Sequence, residues 1–119
     1  MIEGSLYLGE DRNRLLLTRV MRTCTMFERM RGLLGSPPLE QEQGLLIMPC
    51  SSIHTFFMQY SIDLVFLNKH WQIEKLVSAL KPWRMAWGPG ATMVLEMQAG
   101  TIVRKGLVLE STLVWEEYK

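Results

Sequence analysis

The sequence has little of what usually marks a specialised protein. Its two cysteines, Cys24 and Cys50, are too few for a disulfide framework and lack the short paired spacing of metal and redox motifs, so both read as free thiols. Histidine is equally sparse, and no second histidine or cysteine stands at metal-ligand spacing from His54. No metal site is expected. No stretch approaches the roughly 18 uninterrupted apolar residues of a membrane span. The opening MIEGSLYLGE places an acid at position 3 and no apolar segment behind a basic head, so it does not read as a secretory signal, and the cytoplasm is the default expectation. Charge of one sign is missing too: 13 Lys and Arg against 12 Asp and Glu leave a net charge of +1 and no global field. Ser51-Ser52 lacks the G-x-S-x-G turn that exposes a hydrolase nucleophile. Gly88-Pro89-Gly90 lacks the glycine spacing and strand-turn-helix setting of a phosphate cradle. No cofactor is implied.

What is present is enough to fold. A chain of 119 residues with 48% hydrophobic and 21% charged residues suits one domain, residues 1–119, with a sizeable core. One helix is expected over 25–34. Thr25 followed by Glu28 forms a capping box; Met26, Met30 and Leu33 recur at helical spacing as a buried stripe; Gly35 suits the left-handed residue after the last turn, and Pro37-Pro38 stops the chain from continuing. Strands are expected over 14–21, 45–48, 53–58, 62–67, 72–78, 92–97 and 113–117, with a helical turn near 99–105. This density of short strands predicts a mainly β domain, a compact sandwich or barrel. The longest irregular stretch is LKPWRMAWGPGA, 80–91, and a loop of that length in a small domain is often functional.

Six segments, in this order and spacing, carry a resemblance: RMRGLLG from Arg29, GLLIMP from Gly44, IHTFFM from Ile53, SIDLVFL from Ser61, LKPWR from Leu80 and LEMQAGT from Leu95. Together they resemble the domain of unknown function 192 family over roughly residues 10–115. The resemblance implies a small, mostly β, sandwich-like domain, widespread in bacteria and archaea, with no established activity. Many relatives carry a tryptophan-led segment where this chain has IHTFFM, so a role for His54 does not extend to the whole family. Many are secreted or membrane-tethered, with a leader that this chain does not show.

Asp63 is the most informative single residue. In IDLVFL it shares a face with Val65 and Leu67 while Ile62, Leu64 and Phe66 take the other, so its carboxylate is set in or beside a core. A buried carboxylate needs partners, either backbone N–H groups or an arginine. Structural anchoring is the favoured reading, and Arg29 and Arg84, in segments the resemblance singles out, are the expected partners. His54 is a candidate acid, base or binding residue, although a lone histidine on a strand is more often hydrogen-bonded structure. A hairpin through Tyr60-Ser61 would separate His54 from Asp63 by four residues along the ladder, roughly 13 Å, and only strands in different sheets would let them meet. Cys24 and Cys50 have no adjacent histidine to activate them and read as inert. Trp83 and Trp87, with Lys81, Arg84 and Met85, combine flat apolar area with cationic donors, suited to a peptide, glycan or flat ligand or simply to roofing the sandwich. Met48, Met58, Met93 and Met97 read as core filler.

No complete catalytic constellation can be assembled from these residues. The leading expectation is a non-catalytic binding or accessory module whose cleft, near the IHTFFM strand and the LKPWR loop, holds a small molecule or a protein segment; His54, Met58, Lys81, Trp83, Arg84 and Trp87 are its expected binding residues. One alternative is an enzyme using His54 as acid or base, with Arg84 or Lys81 holding an anionic substrate. Another is an anion or nucleic-acid binder through Arg12, Arg14, Arg19, Arg22, Arg29 and Arg31, against which only Glu28 stands. No DNA or RNA recognition motif accompanies those arginines, so a solvated basic face is the favoured reading of them, and no membrane partner is expected.

Overall fold

Alternating apolar residues organise the chain into nine strands and two short helices in the computed structural model, which describes residues 1–10 and 12–118. In chain order they are β1 (Ile2–Leu8), β2 (Arg14–Arg22), α1 (Met26–Arg31), β3 (Gln43–Ile47), β4 (Ser52–His54), β5 (Ile62–Leu67), β6 (Ile73–Leu80), β7 (Met85–Trp87), β8 (Met93–Gln98), α2 (Thr101–Lys105) and β9 (Leu113–Glu117). Seven strands form one sheet in the order β6-β5-β8-β3-β2-β1-β9, and β4 and β7 form a separate pair. Every pairing in the large sheet is antiparallel except β2 with β3, whose connection carries α1. The sheet curls until its two edge strands touch. Gln72 bridges to Thr112, Ile73 N donates to Ser111 O at 2.9 Å and Leu113 N donates to Trp71 O at 2.9 Å, which gives the sheet its barrel-like form.

The central strands are apolar on both faces because both are covered. Val65 and Leu67 of β5, Met93, Leu95 and Met97 of β8 and Leu46 of β3 face one core together with Leu6, Leu17 and Val20. Ile62, Leu64, Phe66, Val94, Leu45 and Ile47 face a second core, closed over by Leu33, Ile53 and Met58. The second core thus depends on the segments around α1 and β4 folding back over the sheet. Among the described residues no helix is long and apolar enough to cross a membrane.

The mainly β expectation holds, with corrections. The strands β1 and β7 were not anticipated, and β7 lies inside the stretch expected to be irregular, 80–91. The strand expected over 53–58 stops at His54. Thr55 leaves the ladder because its hydroxyl donates to Lys81 O at 2.7 Å and accepts from Arg84 N at 2.9 Å, and Phe57 turns to a φ of 66°. The expected hairpin through Tyr60-Ser61 therefore does not form, and β4 pairs with β7 instead. The capping box of α1 is present, with Glu28 N donating to Thr25 Oγ1 at 3.1 Å and Glu28 Oε1 accepting from Thr25 N at 3.2 Å. The helix ends at Gly32, φ 52°, rather than at Gly35, and its expected buried stripe does not exist: Met26 and Met30 are 67% and 74% exposed, and only Leu33, beyond the helix, is buried. Six residues of helix are too few to bury a face.

Asp63 is fully buried and entirely occupied by backbone N–H groups: Ala79 N at 2.7 Å on Oδ1, Gly100 N at 3.1 Å and Ile102 N at 2.8 Å on Oδ2. Its expected partners Arg29 and Arg84 are not among these donors. The register explains why backbone suffices. β5 and β6 slip between Ile62 and Leu64, so that Ser78 and Ala79 bulge opposite Asp63 and Ala79, at φ 50°, turns its N–H onto the carboxylate. The other oxygen takes N–H groups that the first turn of α2 leaves unpaired. One side chain thereby joins β5, β6 and α2. Asp63→Ala strands three buried donors and should lower the free energy of unfolding in denaturant by about 3 kcal/mol or more, whereas a change under about 0.5 kcal/mol would show that the carboxylate anchors nothing.

Candidate functional site

A cleft of about 300 Å³ opens between the end of α1 and the β4 segment. Its roof is the turn Arg29 to Leu34, its far wall is Ile53, His54, Phe56 and Met58, and Ile47 and Glu96 line its base. The sheet explains how a carboxyl reaches that position. In β8, Val94 and Glu96 share the face opposite Leu95 and Met97, so Glu96 points at the second core, where its cross-strand neighbours are Leu64 of β5 and Leu45 of β3.

Glu96 is 3% exposed, and no hydrogen bond or ion pair from any described residue reaches it. Burial alone pushes its carboxyl from the ordinary 4.5 up to about 8, so at neutral pH it is predominantly protonated, able to offer one O–H and to accept at its carbonyl oxygen. Asp63, one residue along the neighbouring strand, is buried as well but has its three donors; Glu96 has none. Gly32 shapes the space above it. A Cβ at this position would lie 3.4 Å from Glu96 Oε1, and the residue's φ of +52° favours glycine in any case.

The other polar groups of the cleft are held more loosely. His54 is exposed and lines the cleft; its Nδ1 accepts from Phe56 N at 3.3 Å, which in the neutral ring assigns the proton to Nε2. Its ring stacks on Phe56 at 4.9 Å between centroids, Phe56 stacks on Trp83 at 6.0 Å, and Trp83 packs against Phe57 at 4.6 Å, so an aromatic row runs away from the opening. Cys50 also lines the cleft. Burial pushes its thiol up, and its Sγ donates to Ser52 O at 3.1 Å; both cysteines are free. A thiol shifted this way is a poor nucleophile at neutral pH.

Of the residues expected to bind, His54 and Met58 line this cleft and Trp83 borders it through Phe56. Lys81, Arg84 and Trp87 do not line it. The Arg84 guanidinium donates to Trp83 O at 3.3 Å, and Trp87 lies under Lys75, whose Nζ donates to Trp87 O at 2.7 Å. His54 and the cations Lys81 and Arg84 are therefore not gathered around one void. His54 and Asp63 do lie in different sheets, yet Asp63 is closed off by α2 and takes no part in the cleft. Arg29, expected beside Asp63, lines the cleft instead. Among the described residues no group of three or more His, Cys, Asp or Glu side chains could hold a metal ion.

Glu96 was missed by the sequence reading although its signal was available. MVLEMQ is apolar on both faces, as IDLVFL is, and the reasoning that singled out Asp63 applies to Glu96 without change.

A barrel-like sheet with a lidded cleft on its outer face places the protein in a class defined by fold rather than by reaction. The chain belongs to the domain of unknown function 192 family, DUF192, described as uncharacterised ACR, whose model matches residues 10–115. It is 30% identical over 116 residues to a UPF0127 protein of Thermococcus sibiricus, covering 92% of this chain and 73% of that one. Two solved structures share the fold. One, from Sinorhizobium meliloti 1021 and provisionally named a transcription regulator, has a TM-score of 0.83 at 18% identity, over 95% of this chain and 93% of its own. The other, a protein of unknown function from Novosphingobium aromaticivorans, has a TM-score of 0.75 at 17% identity, over 93% of this chain and 84% of its own. At these identities the likeness speaks for the fold alone.

Glu96 binds its proton more tightly folded than unfolded, so its contribution to stability is full below about pH 4.5, falls as pH rises and levels off above about pH 8. Glu96→Leu removes that dependence. The variant should exceed the wild type in stability by a margin that grows between pH 5 and 8, at up to about 1.4 kcal/mol per pH unit. Denaturant unfolding of both proteins across that range measures it; parallel curves would mean that Glu96 has a partner in solution.

Proposed function

We infer that this protein is a non-catalytic binding module and that the Glu96 cleft holds its ligand. The observation that carries the reading is the unpartnered carboxyl: Glu96 is 3% exposed, takes no hydrogen bond from any described residue, and lines the cleft. The occupant it suits is a small molecule with an N–H or O–H donor at one end, set against Glu96, and an apolar or aromatic body lying between Leu33, Ile53, Phe56 and Met58. A cleft of about 300 Å³ is at the lower end of ligand-site volumes, which favours a small molecule over a protein segment. Arg29 and Arg31 at the roof suit an acidic group on the same ligand. His54 contributes through Nε2 and its ring face. In this reading the protein works in the cytoplasm with reduced thiols. The enzyme alternative is the weaker one, since the cations it assigns to substrate, Lys81 and Arg84, do not line the cleft that His54 lines.

A fragment library screened by ligand-observed NMR against the wild type should return amine, amide and hydroxyl donors. Their affinity should fall about tenfold or more in Glu96→Leu, the loss of one hydrogen bond to a buried group, while that variant stays folded. His54→Ala should change stability by less than about 0.5 kcal/mol, as for an exposed site, and weaken the same fragments. Hits that bind Glu96→Leu as well as the wild type would overturn this reading.

A further inference from the structure

A second cleft, of about 520 Å³, lies on the other side of Arg29. Three cationic residues line it from three separate elements: Arg22 at the end of β2, Arg29 in the last turn of α1 and Lys69 in the turn between β5 and β6. No acidic residue lines it, and no carboxylate of any described residue pairs with any of the three side chains. Glu28, the acid next to Arg29, is already committed, accepting from the Met1 amino group at 2.8 Å, Cys24 N at 2.8 Å and Thr25 N at 3.2 Å. Arg22 is the most telling of the set. Its Nε–H is buried and has no hydrogen-bond partner, the one such side-chain nitrogen or oxygen among the described residues.

A guanidinium presents Nε–H and one Nη–H as a fork that matches two oxygens of an oxyanion. The Arg22 Nε–H is shut off from solvent in this structure, so an oxyanion would engage the whole fork only as the side chain turns toward it; three positive charges lining the cleft without a carboxylate among them match a doubly charged group better than a singly charged one. Met48, Trp71 and Met93 give the cleft apolar walls, so the space beyond the anion would take an organic body. The other arginines of the basic stretch are engaged elsewhere: Arg12 pairs with Glu116 and Arg19 with Glu3, Arg14 donates to Lys105 O at 2.8 Å, and Arg31, which lines the first cleft, donates to Leu34 O at 3.3 Å. We propose that this second cleft is a binding site for the phosphoryl group of a small phosphorylated molecule, held by Arg22, Arg29 and Lys69. It is separate from the Glu96 cleft apart from the shared Arg29, and stands whether or not that cleft binds a ligand.

The probe is inorganic phosphate at pH 7.5, titrated at constant ionic strength against acetate and chloride and followed by amide shifts of Thr23, Cys24 and Lys69. Phosphate should saturate these shifts, bind at least tenfold tighter than acetate, and weaken at least tenfold in both Arg22→Gln and Lys69→Ala; Lys69 is exposed, so its variant folds even if Arg22→Gln does not. Glu96→Leu should bind phosphate as the wild type does, which separates this site from the first. Linear, non-saturating shifts, equal responses to acetate and phosphate, or unchanged binding in Lys69→Ala would overturn the proposal. So would a single-stranded oligonucleotide that binds with steep salt dependence and is not displaced by phosphate, which would make the surface a nucleic-acid face.

Discussion

The bonds of one carboxylate to three backbone N–H groups hold the fold in register. Asp63 receives Ala79 from the bulge of β6 and Gly100 and Ile102 from the first turn of α2, whose start is also held by Thr101 Oγ1 donating to Gln98 O at 2.6 Å. Gly100 provides no side-chain cap, so the cap comes from a strand 37 residues earlier in the chain. With α2 fixed, Ile102 and Leu107 close one end of the first core. The same anchoring sets the registers of β5 with β6 and with β8, and β8 is the strand that carries Glu96.

Two buried carboxyls on neighbouring strands show how one residue class serves opposite ends. The Asp63 side chain is saturated with backbone donors and ties three elements together. Glu96, flanked by Leu64 and Leu45, meets an open cleft and no donor, and is kept largely neutral by desolvation. A group that weakens the protein where a leucine would fit points to a use outside folding. The Arg22 Nε–H makes the same kind of statement in the opposite charge, on the other side of Arg29. Neither group has a hydrogen-bond partner in the chain, whereas the great majority of buried polar groups in folded proteins have one.

Much of the fold could be read from the residues because the central strands are apolar on both faces and bounded by turns. β5 and β9 fall on their expected limits, and the capping box at Thr25 and Glu28 is in place. The misses have local causes. Thr55 looks like a strand residue, yet its hydroxyl bonds across the loop to the backbone of Lys81 and Arg84, a long-range contact that no periodicity reports. β7 is three residues long and sits among Pro, Trp and Gly, so no alternation could reveal it. The helical spacing of Met26, Met30 and Leu33 was real, but α1 ends at Gly32 before it can bury a face. For the site, His54 and Met58 were legible from the IHTFFM segment. Glu96 required treating an acid inside an apolar strand as an anomaly wherever it occurs, and Arg22 required knowing which arginines find partners.

The bulge at Ala79 has a further consequence for how the molecule behaves among its own copies. A sheet that nearly closes on itself exposes little of its backbone, and here the outer edge of β6 beyond Ile73 is where a foreign strand could add, since the main-chain bonds that close the sheet on that side stop at Ile73. Strand addition needs a flat, regular ladder of N–H and C=O groups. The edge opens with Glu74 and Lys75 and is broken at Ala79, whose N–H is already taken by Asp63. The irregularity that gives the internal anchor its third donor therefore also spoils the template for edge-to-edge aggregation, and removing the carboxylate would loosen both safeguards at once.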